Sequence, residues 1–295
     1  MTFACFSASS DLFPTSTIDI LQKNHVLYAI LLEKLTLQKS SPHEVPWRLE
    51  ILKIISLPVL EDNYIHIMRD DVSASTVVVD PALADPVISA LEDRGWQLTH
   101  ILLTHHHGDH IGGVPGLISA FPECETYGFS DDQARLPPLT YPVSNGDELM
   151  IARTKFEVWH LPGHTTGHIG FVSSTAKIAF TGDVLFGMGC GRLFEGSPAQ
   201  MFQSLSRFRS LPKDTKIYCT HEYTVTNGHF AKTVLPKNQK ILDRLNQALK
   251  LRQDGHFTVP LTLDEELESN PFLLARDIET FTEYREKRNV FKMQV

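Results

Sequence analysis

The stretch Thr104-His105-His106-His107-Gly108-Asp109-His110 follows directly on the apolar run His100 to Leu103. It contains H-x-H-x-D-H at the point where a buried strand gives way to a loop. Imidazole nitrogen and carboxylate oxygen are the donors that suit zinc and other divalent first-row ions. In a turn, alternate side chains can aim at one point while the adjacent Asp-His pair aims at a neighbouring point. One short loop can therefore feed two ions. His106 lies between the alternating pair, so its side chain is expected to point away, and it stays outside the ligand set. A lone histidine is ordinarily a satisfied core or surface residue, and His25, His43, His66, His100, His229 and His256 are read in that way.

Three more donors stand downstream, each after a strand-like run. They are His164 in Leu161-Pro162-Gly163-His164-Thr165-Thr166-Gly167-His168, Asp183 in Phe180-Thr181-Gly182-Asp183, and His221 in Tyr218-Cys219-Thr220-His221-Glu222. Glycine beside a ligand lets the backbone approach an ion or adopt positive φ, which gives Gly163 and Gly182 a physical reason.

These four blocks, in this order and spacing, resemble the metallo-β-lactamase superfamily. The resemblance implies an α/β fold, an αββα sandwich, followed by a smaller helical C-terminal domain. It also implies that His105, His107 and His164 hold a first metal ion, that Asp109, His110 and His221 hold a second, and that Asp183 bridges the two. Such a set leaves room for a shared water or hydroxide, as catalytic sites require. Asp109 and Asp183 are the catalytic carboxylates in this reading, while Asp80 and His168 would orient ligand imidazoles. Zinc is the first expectation for both ions, with iron or manganese able to satisfy the same donors.

A closer resemblance, covering residues from about 49 to the C-terminus, is to the glyoxalase II (hydroxyacylglutathione hydrolase) family. It is carried by Leu60-Glu61-Asp62-Asn63-Tyr64, Gly189-Cys190-Gly191-Arg192 with Phe194-Glu195-Gly196, and His221-Glu222-Tyr223-Thr224. Glu268-Ser269-Asn270-Pro271-Phe272 and the closing Arg285-Glu286-Lys287-Arg288 with Phe291-Lys292 extend it. By this resemblance the substrate is a glutathione thioester, Arg192, Arg285 and Arg288 contact its glutathione part, and Tyr223 hydrogen-bonds it. An arginine offers a fork of donors to a carboxylate, so a cationic cluster in an acidic chain can form a local anion site. Read without the resemblance, Arg285 and Arg288 would be a solvated helix face. Phe194 replaces a tyrosine that some relatives use for glutathione, so one hydroxyl contact is missing here. A thioester suits the chemistry, because its thiolate leaves without a strong acid, free thiols having a pKa of about 8.5.

Bulk properties bound the alternatives. The 295 residues, 42% of them hydrophobic, suffice for a large core domain with an appendage. A net charge of -8 disfavours nucleic acid and anionic membranes as partners, and with them a nuclease reading of the same loops. The run Val26 to Leu32 is far shorter than the roughly 20 apolar residues of a membrane span. Four scattered cysteines without a C-x-x-C pair suit reduced thiols in the cytoplasm. The early segment is rich in serine and threonine, but it lacks arginine before Arg48 and carries Asp11 and Asp19, unlike a transit peptide.

Three divisions are expected: an accessory segment 1–48 with a helix over Ile18–Leu35, a catalytic domain 49–221, and a helical substrate-binding domain 222–295 acting in a monomer. Strands are predicted at 51–57, 64–68, 76–79, 100–103, 155–160, 169–172 and 177–180. Helices are predicted at 84–94, 111–120, 237–252 and 277–288. A persulfide dioxygenase of the same fold would hold one iron through fewer of these ligands and end in a different tail. A true β-lactamase would replace His110 and Asp183, and a non-catalytic binding module is disfavoured because no ligand position is lost.

Overall fold

The structure, a computed structural model, describes residues 52–292. The segment 1–48, with its expected helix, lies outside the described residues. The described residues belong to one compact unit.

Among the described residues, fourteen strands build two six-stranded sheets and a small hairpin. The first sheet runs in the order β1 (Leu52–Val59), β2 (Asn63–Asp70), β3 (Ser75–Val79), β4 (His100–Leu102), β5 (Glu125–Phe129) and β6 (Tyr141–Val143). Its first three strands are antiparallel neighbours, and β3 to β6 are parallel. The second sheet runs β14 (Leu261–Thr262), β13 (Lys216–Cys219), β10 (Ile178–Gly182), β9 (Ile169–Ser173), β8 (Thr154–His160) and β7 (Glu148–Ile151). Only β10 and β13 pair in parallel there. The hairpin β11 (Leu185–Phe186) and β12 (Gly189–Cys190) follows β10.

Side chains alternate along a strand, and this sorts the core into layers. Met68, Val77, Val79, Leu102, Phe156, Val158, Phe171 and Phe180 point between the sheets and pack on one another. Their neighbours Ile65, Ile67, Val78 and Ile101 point outward instead. There they meet Val87 and Leu91 of helix α1 (Asp85–Glu92) and Val114 and Leu117 of helix α3 (Val114–Ala120). On the opposite side Trp159, Val172, Ala179 and Ile217 meet Met201 and Leu205 of helix α4 (Pro198–Arg207). The result is the four-layer sandwich that the motif order predicts. Each fully buried Phe, Leu or Ile in these layers contributes about 1.5–3 kcal/mol relative to exposure.

One predicted element changes form. The helix expected over 111–120 divides into α2 (Gly108–Ile111) and α3, because Gly112 and Gly113, poor helix formers, stand between them. The C-terminal helices are α5 (Thr224–Val234), α6 (Gln239–Gln253), α7 (Leu263–Ser269), α8 (Pro271–Leu274) and α9 (Ile278–Val290), and Ala231, Ile241 and Leu245 on the first two form a small cluster of their own with Met188. Phe230, Phe272 and Phe281 join the cluster under the second sheet, and β14 extends that sheet. Helix α4 was not foreseen. Its start is fixed by Ser197 and Gln200, which cap each other's backbone N–H groups, with Pro198 in the first turn.

Helix 84–94 and strands 64–68, 76–79, 155–160, 169–172 and 177–180 coincide with observed elements to within a few residues. Among the described residues, no helix is long and apolar enough to cross a membrane.

Candidate metal centre

The predicted donors meet at one edge of the sandwich, beyond the C-terminal ends of β4, β8, β10 and β13. His105, His107, Asp109 and His110 come from the loop and short helix after β4, and His164 from the loop after β8. Asp183 follows β10 and His221 follows β13. A rigid two-sheet scaffold thus aims four loops at one place.

The donor atoms form overlapping groups: His105, His107 and His164; His105, His110 and Asp183; Asp109, His110 and His221. Within the first, His107 Nδ1 lies 3.0 Å from both His105 Nε2 and His164 Nε2. Within the last, Asp109 Oδ2 lies 3.7 Å from His110 Nε2 and 3.5 Å from His221 Nε2. Asp183 stands between the groups, with Oδ2 3.3 Å from His164 Nε2 and 3.4 Å from His221 Nε2, and Oδ1 3.5 Å from His110 Nε2. A tetrahedron with bonds of about 2.1 Å has edges of about 3.4 Å, so these spacings are those of donors surrounding a common ion.

Two orphaned atoms make the same point. His110 Nε2 and Asp183 Oδ1 are buried, face each other, and make no hydrogen bond. A buried polar atom without a partner costs stability, and a cation between them would satisfy both.

Backbone geometry at the ligands explains two glycines. Gly163 and Gly182, adjacent to His164 and Asp183, have φ of +154° and +47°. A Cβ on Gly182 would also stand 2.4 Å from Thr104 Oγ1 and 2.8 Å from His168 Nε2.

Electrostatics divide the donors. Burial holds His105 well below the ordinary imidazole range, reinforced by the neighbouring His110 and His168. His107 and His164 are also lowered, chiefly by burial. These three therefore present neutral rings with free lone pairs. Burial likewise opposes charge on His221 and His110, but here the carboxylates win: Asp183 and Asp62 raise His221 to about 9, and Asp183 and Asp80 raise His110. Asp183 itself, although burial works against its charge, is held far below the carboxylate range by His221 and His110.

Outer partners fix the ligands. Asp80 Oδ2 lies 3.0 Å from His110 Nδ1 and accepts from the Thr104 hydroxyl at 2.7 Å. His168 is the other residue expected to orient a ligand imidazole. Its Nε2 accepts the Asp183 N–H at 3.1 Å, and its ring stacks on His105 with centroids 4.7 Å apart. His106 turns away, with Nδ1 3.0 Å from Asp132 Oδ2. Sequence reasoning did not single out Asp62 and Asn63. Asp62 Oδ1 lies 2.7 Å from His221 Nδ1, and Asn63 Nδ2 donates to Asp109 Oδ2 at 3.0 Å. Their signal was present in the Glu61-Asp62-Asn63-Tyr64 block.

A cavity of about 660 Å³ opens on the metal-facing donors and is walled by Arg192, Phe194, Tyr223, Asn227, Arg285 and Arg288. Tyr223 stacks parallel on His221 with centroids 4.8 Å apart. Phe194, 61% exposed, presents its ring edge-on to His107 and His164 at 5.5 and 5.2 Å. Burial, then the neighbouring Arg285, lowers the Arg288 guanidinium, and Arg192 adds to the repulsion. Three cations on one wall of an acidic protein favour an anionic ligand. Arg285 is buried as well, and donates to the carbonyls of Cys190 and Gly191 at 2.7 and 3.2 Å.

Comparison with known proteins agrees with this geometry. Residues 69–221 match the model of the metallo-beta-lactamase superfamily, and residues 222–293 match that of the hydroxyacylglutathione hydrolase C-terminus. The hydroxyacylglutathione hydrolase of Methylococcus capsulatus is 42% identical over 256 residues, covering 82% of this chain and 100% of the relative. That of Enterobacter sp. is 45% identical over 228 residues, covering 77% of this chain and 89% of the relative. The crystal structure of ETHE1 from Myxococcus xanthus superposes with a TM-score of 0.60 at 24% identity, over 81% of this chain and 92% of that one, a likeness of fold alone. With both family models matched end to end and close relatives covered over nearly their whole length, the chain belongs to the hydroxyacylglutathione hydrolase family of the metallo-beta-lactamase superfamily.

Proposed function

We propose that the site hydrolyses the thioester of an S-(2-hydroxyacyl)glutathione, releasing the hydroxy acid, lactate in the case of lactoylglutathione, and glutathione. The observation that carries this reading is the position of Asp183, whose carboxylate reaches histidine nitrogens of both donor groups. The chain's membership of the family and the names of its relatives support the substrate class.

His105, His107 and His164 would hold one divalent ion, Asp109, His110 and His221 a second, with Asp183 shared, and zinc suits this nitrogen and oxygen set while iron or manganese would also fit. Bound there, two such ions would lower the pKa of water and polarise a carbonyl oxygen. The protein's own groups do the rest. Arg192, Arg285 and Arg288 would pair with the glutathione carboxylates, and the Tyr223 hydroxyl would donate to its backbone, holding the thioester carbonyl over the donors. Asp109 is the less buried of the two catalytic carboxylates and opens toward the cavity, so it can orient an attacking water and take its proton.

The division of labour follows the chain: 49–221 supplies the hydrolytic centre, and 222–295 supplies Tyr223, Arg285 and Arg288, with 1–48 as an accessory segment. The catalyst is read as a monomer. Free thiols at Cys124, Cys190 and Cys219 support a reducing compartment such as the cytoplasm. Assay with lactoylglutathione, with metal quantitation on the same sample, tests the reading. Thioester cleavage with two ions per chain is the expected result. One iron per chain with dioxygen consumption would replace it by a persulfide dioxygenase.

A further inference from the structure

The two donor groups differ in what stands behind them. In the first, His164 Nδ1 faces the main-chain carbonyl of Arg192 at 2.8 Å, and His105 Nδ1 lies 3.0 Å from the Thr104 hydroxyl. Both partners are neutral. In the second, His110 and His221 each face a carboxylate, Asp80 and Asp62. The ligand carboxylate of Asp109 is in turn held by the Asn63 amide.

Asp62 and Asn63 are consecutive, and they sit where β1 turns into β2. The backbone locks this turn against the His221 loop. Asn63 forms an antiparallel bridge with His221, Glu222 N–H donates to the Asp62 carbonyl at 2.9 Å, and Tyr64 N–H donates to the Thr220 carbonyl at 2.6 Å. A side-chain brace backs it, since the Tyr64 hydroxyl donates to Glu222 at 2.6 Å and Glu222 accepts from the Thr258 hydroxyl at 2.6 Å. One short turn therefore grips two ligands of the second group and touches none of the first.

We infer that Asp62 and Asn63 are positioning residues for the second ion alone, so that its affinity can be lost while the first ion stays bound. This rests on the two-ion reading above. An imidazole that donates Nδ1–H to a carboxylate is fixed in the tautomer that turns the Nε2 lone pair inward, and its basicity rises. Asn63 does the complementary work on Asp109, leaving its other lone pairs for an ion. Loss of such a partner weakens metal binding about 10–100-fold. Asp80 stands behind the same group but is buried beneath Thr104 and Thr220, where removal would disturb the core. The Asp62 side chain is about a third exposed (33%), so it can be changed without opening a cavity.

The test is calorimetric titration of the chelator-stripped full chain with zinc, with elemental analysis of the product. The wild type should take two ions in resolvable steps. Asp62→Ala should weaken the second step about 10–100-fold and leave the first within about twofold. Asp62→Asn keeps an oxygen to accept the His221 proton and should fall between, separating charge from position. Asn63→Ala should weaken the same step. Both steps weakening together, or neither moving, would overturn the inference. A wild type that takes one zinc would sink the two-ion reading itself, and that failure needs no mutant to be seen. Circular dichroism and melting temperature accompany each variant, and if Asp62→Ala does not fold, Asp62→Asn and Asn63→Ala decide the matter.

Discussion

The guanidinium of Arg285, on the last helix, donates to the main-chain carbonyl of Cys190 at 2.7 Å across 95 residues of chain. It adds a second bond to Gly191, the residue directly after the hairpin that follows Asp183. A side chain assigned to substrate thus also holds the wall on which substrate would lie. Asn227 and Asn270 share the work, donating to Gly187, Phe186 and Gly189 carbonyls of the same hairpin.

Arg285→Ala should therefore do two things at once. Leaving buried carbonyls unpaired costs about 1–3 kcal/mol, which for a domain of this size lowers the melting temperature by about 2–12 °C. Loss of a charged hydrogen bond to the glutathione carboxylate should raise KM about 10–100-fold, with a smaller change in kcat. A variant that melts early but keeps its KM would make Arg285 a purely structural residue.

Asp183→Ala removes the one carboxylate that reaches both donor groups. The variant should retain fewer than two ions per chain, and hydrolysis should fall more than the roughly 100-fold that loss of an outer partner causes. Metal analysis and steady-state kinetics on the same preparation check this. Retention of both ions would remove Asp183 from its bridging role.

Phe194 offers a gain rather than a loss. Its ring is exposed at the cavity mouth, close to Arg192 and edge-on to His107 and His164. Phe194→Tyr adds a hydroxyl at the cavity mouth, and a net hydrogen bond of about 0.5–1.5 kcal/mol should lower KM about 2–10-fold at constant kcat. An unchanged KM would place the glutathione moiety away from this ring.

The donor-bearing loops were legible because histidine and aspartate cluster in sequence where strands end, and the fold brings those side chains together. Short β-rich runs, such as Tyr64 to Met68 and Ile169 to Val172, were legible for the same kind of local reason. What escaped was long-range. Asp62 meets His221 over 159 positions, and Tyr64 meets Glu222 over 158, so neither pairing leaves a periodic trace. The C-terminal helices read as a second domain because the texture turns helical and charged there, and residues 222–293 match a family model of their own. Phe230, Phe272 and Phe281, which sink into the core of the second sheet, are too few and too scattered to reveal that attachment.

Glu266 on α7 provides a pH-dependent case. It is fully buried, accepts the Met188 N–H at 2.7 Å and the Asn270 amide at 3.0 Å, and its other oxygen has no partner. Burial raises its pKa to about 7, against the opposing pull of Arg244. The folded protein therefore holds this proton more tightly than the unfolded chain, whose carboxyl titrates near its ordinary value. The stabilisation is complete below that ordinary value and is lost as pH rises through about 7. For a shift of this size the loss is roughly 3 kcal/mol. Glu266→Gln keeps an oxygen for the Met188 and Asn270 donors but cannot ionise. Thermal melts of both proteins between about pH 5.5 and 8 should show the variant gaining on the wild type as pH rises. Any release of metal in acid is common to the two and cancels in the difference. Parallel melting curves across that range would mean that Glu266 is already ionised in the fold, neutralised by Arg244 despite its burial.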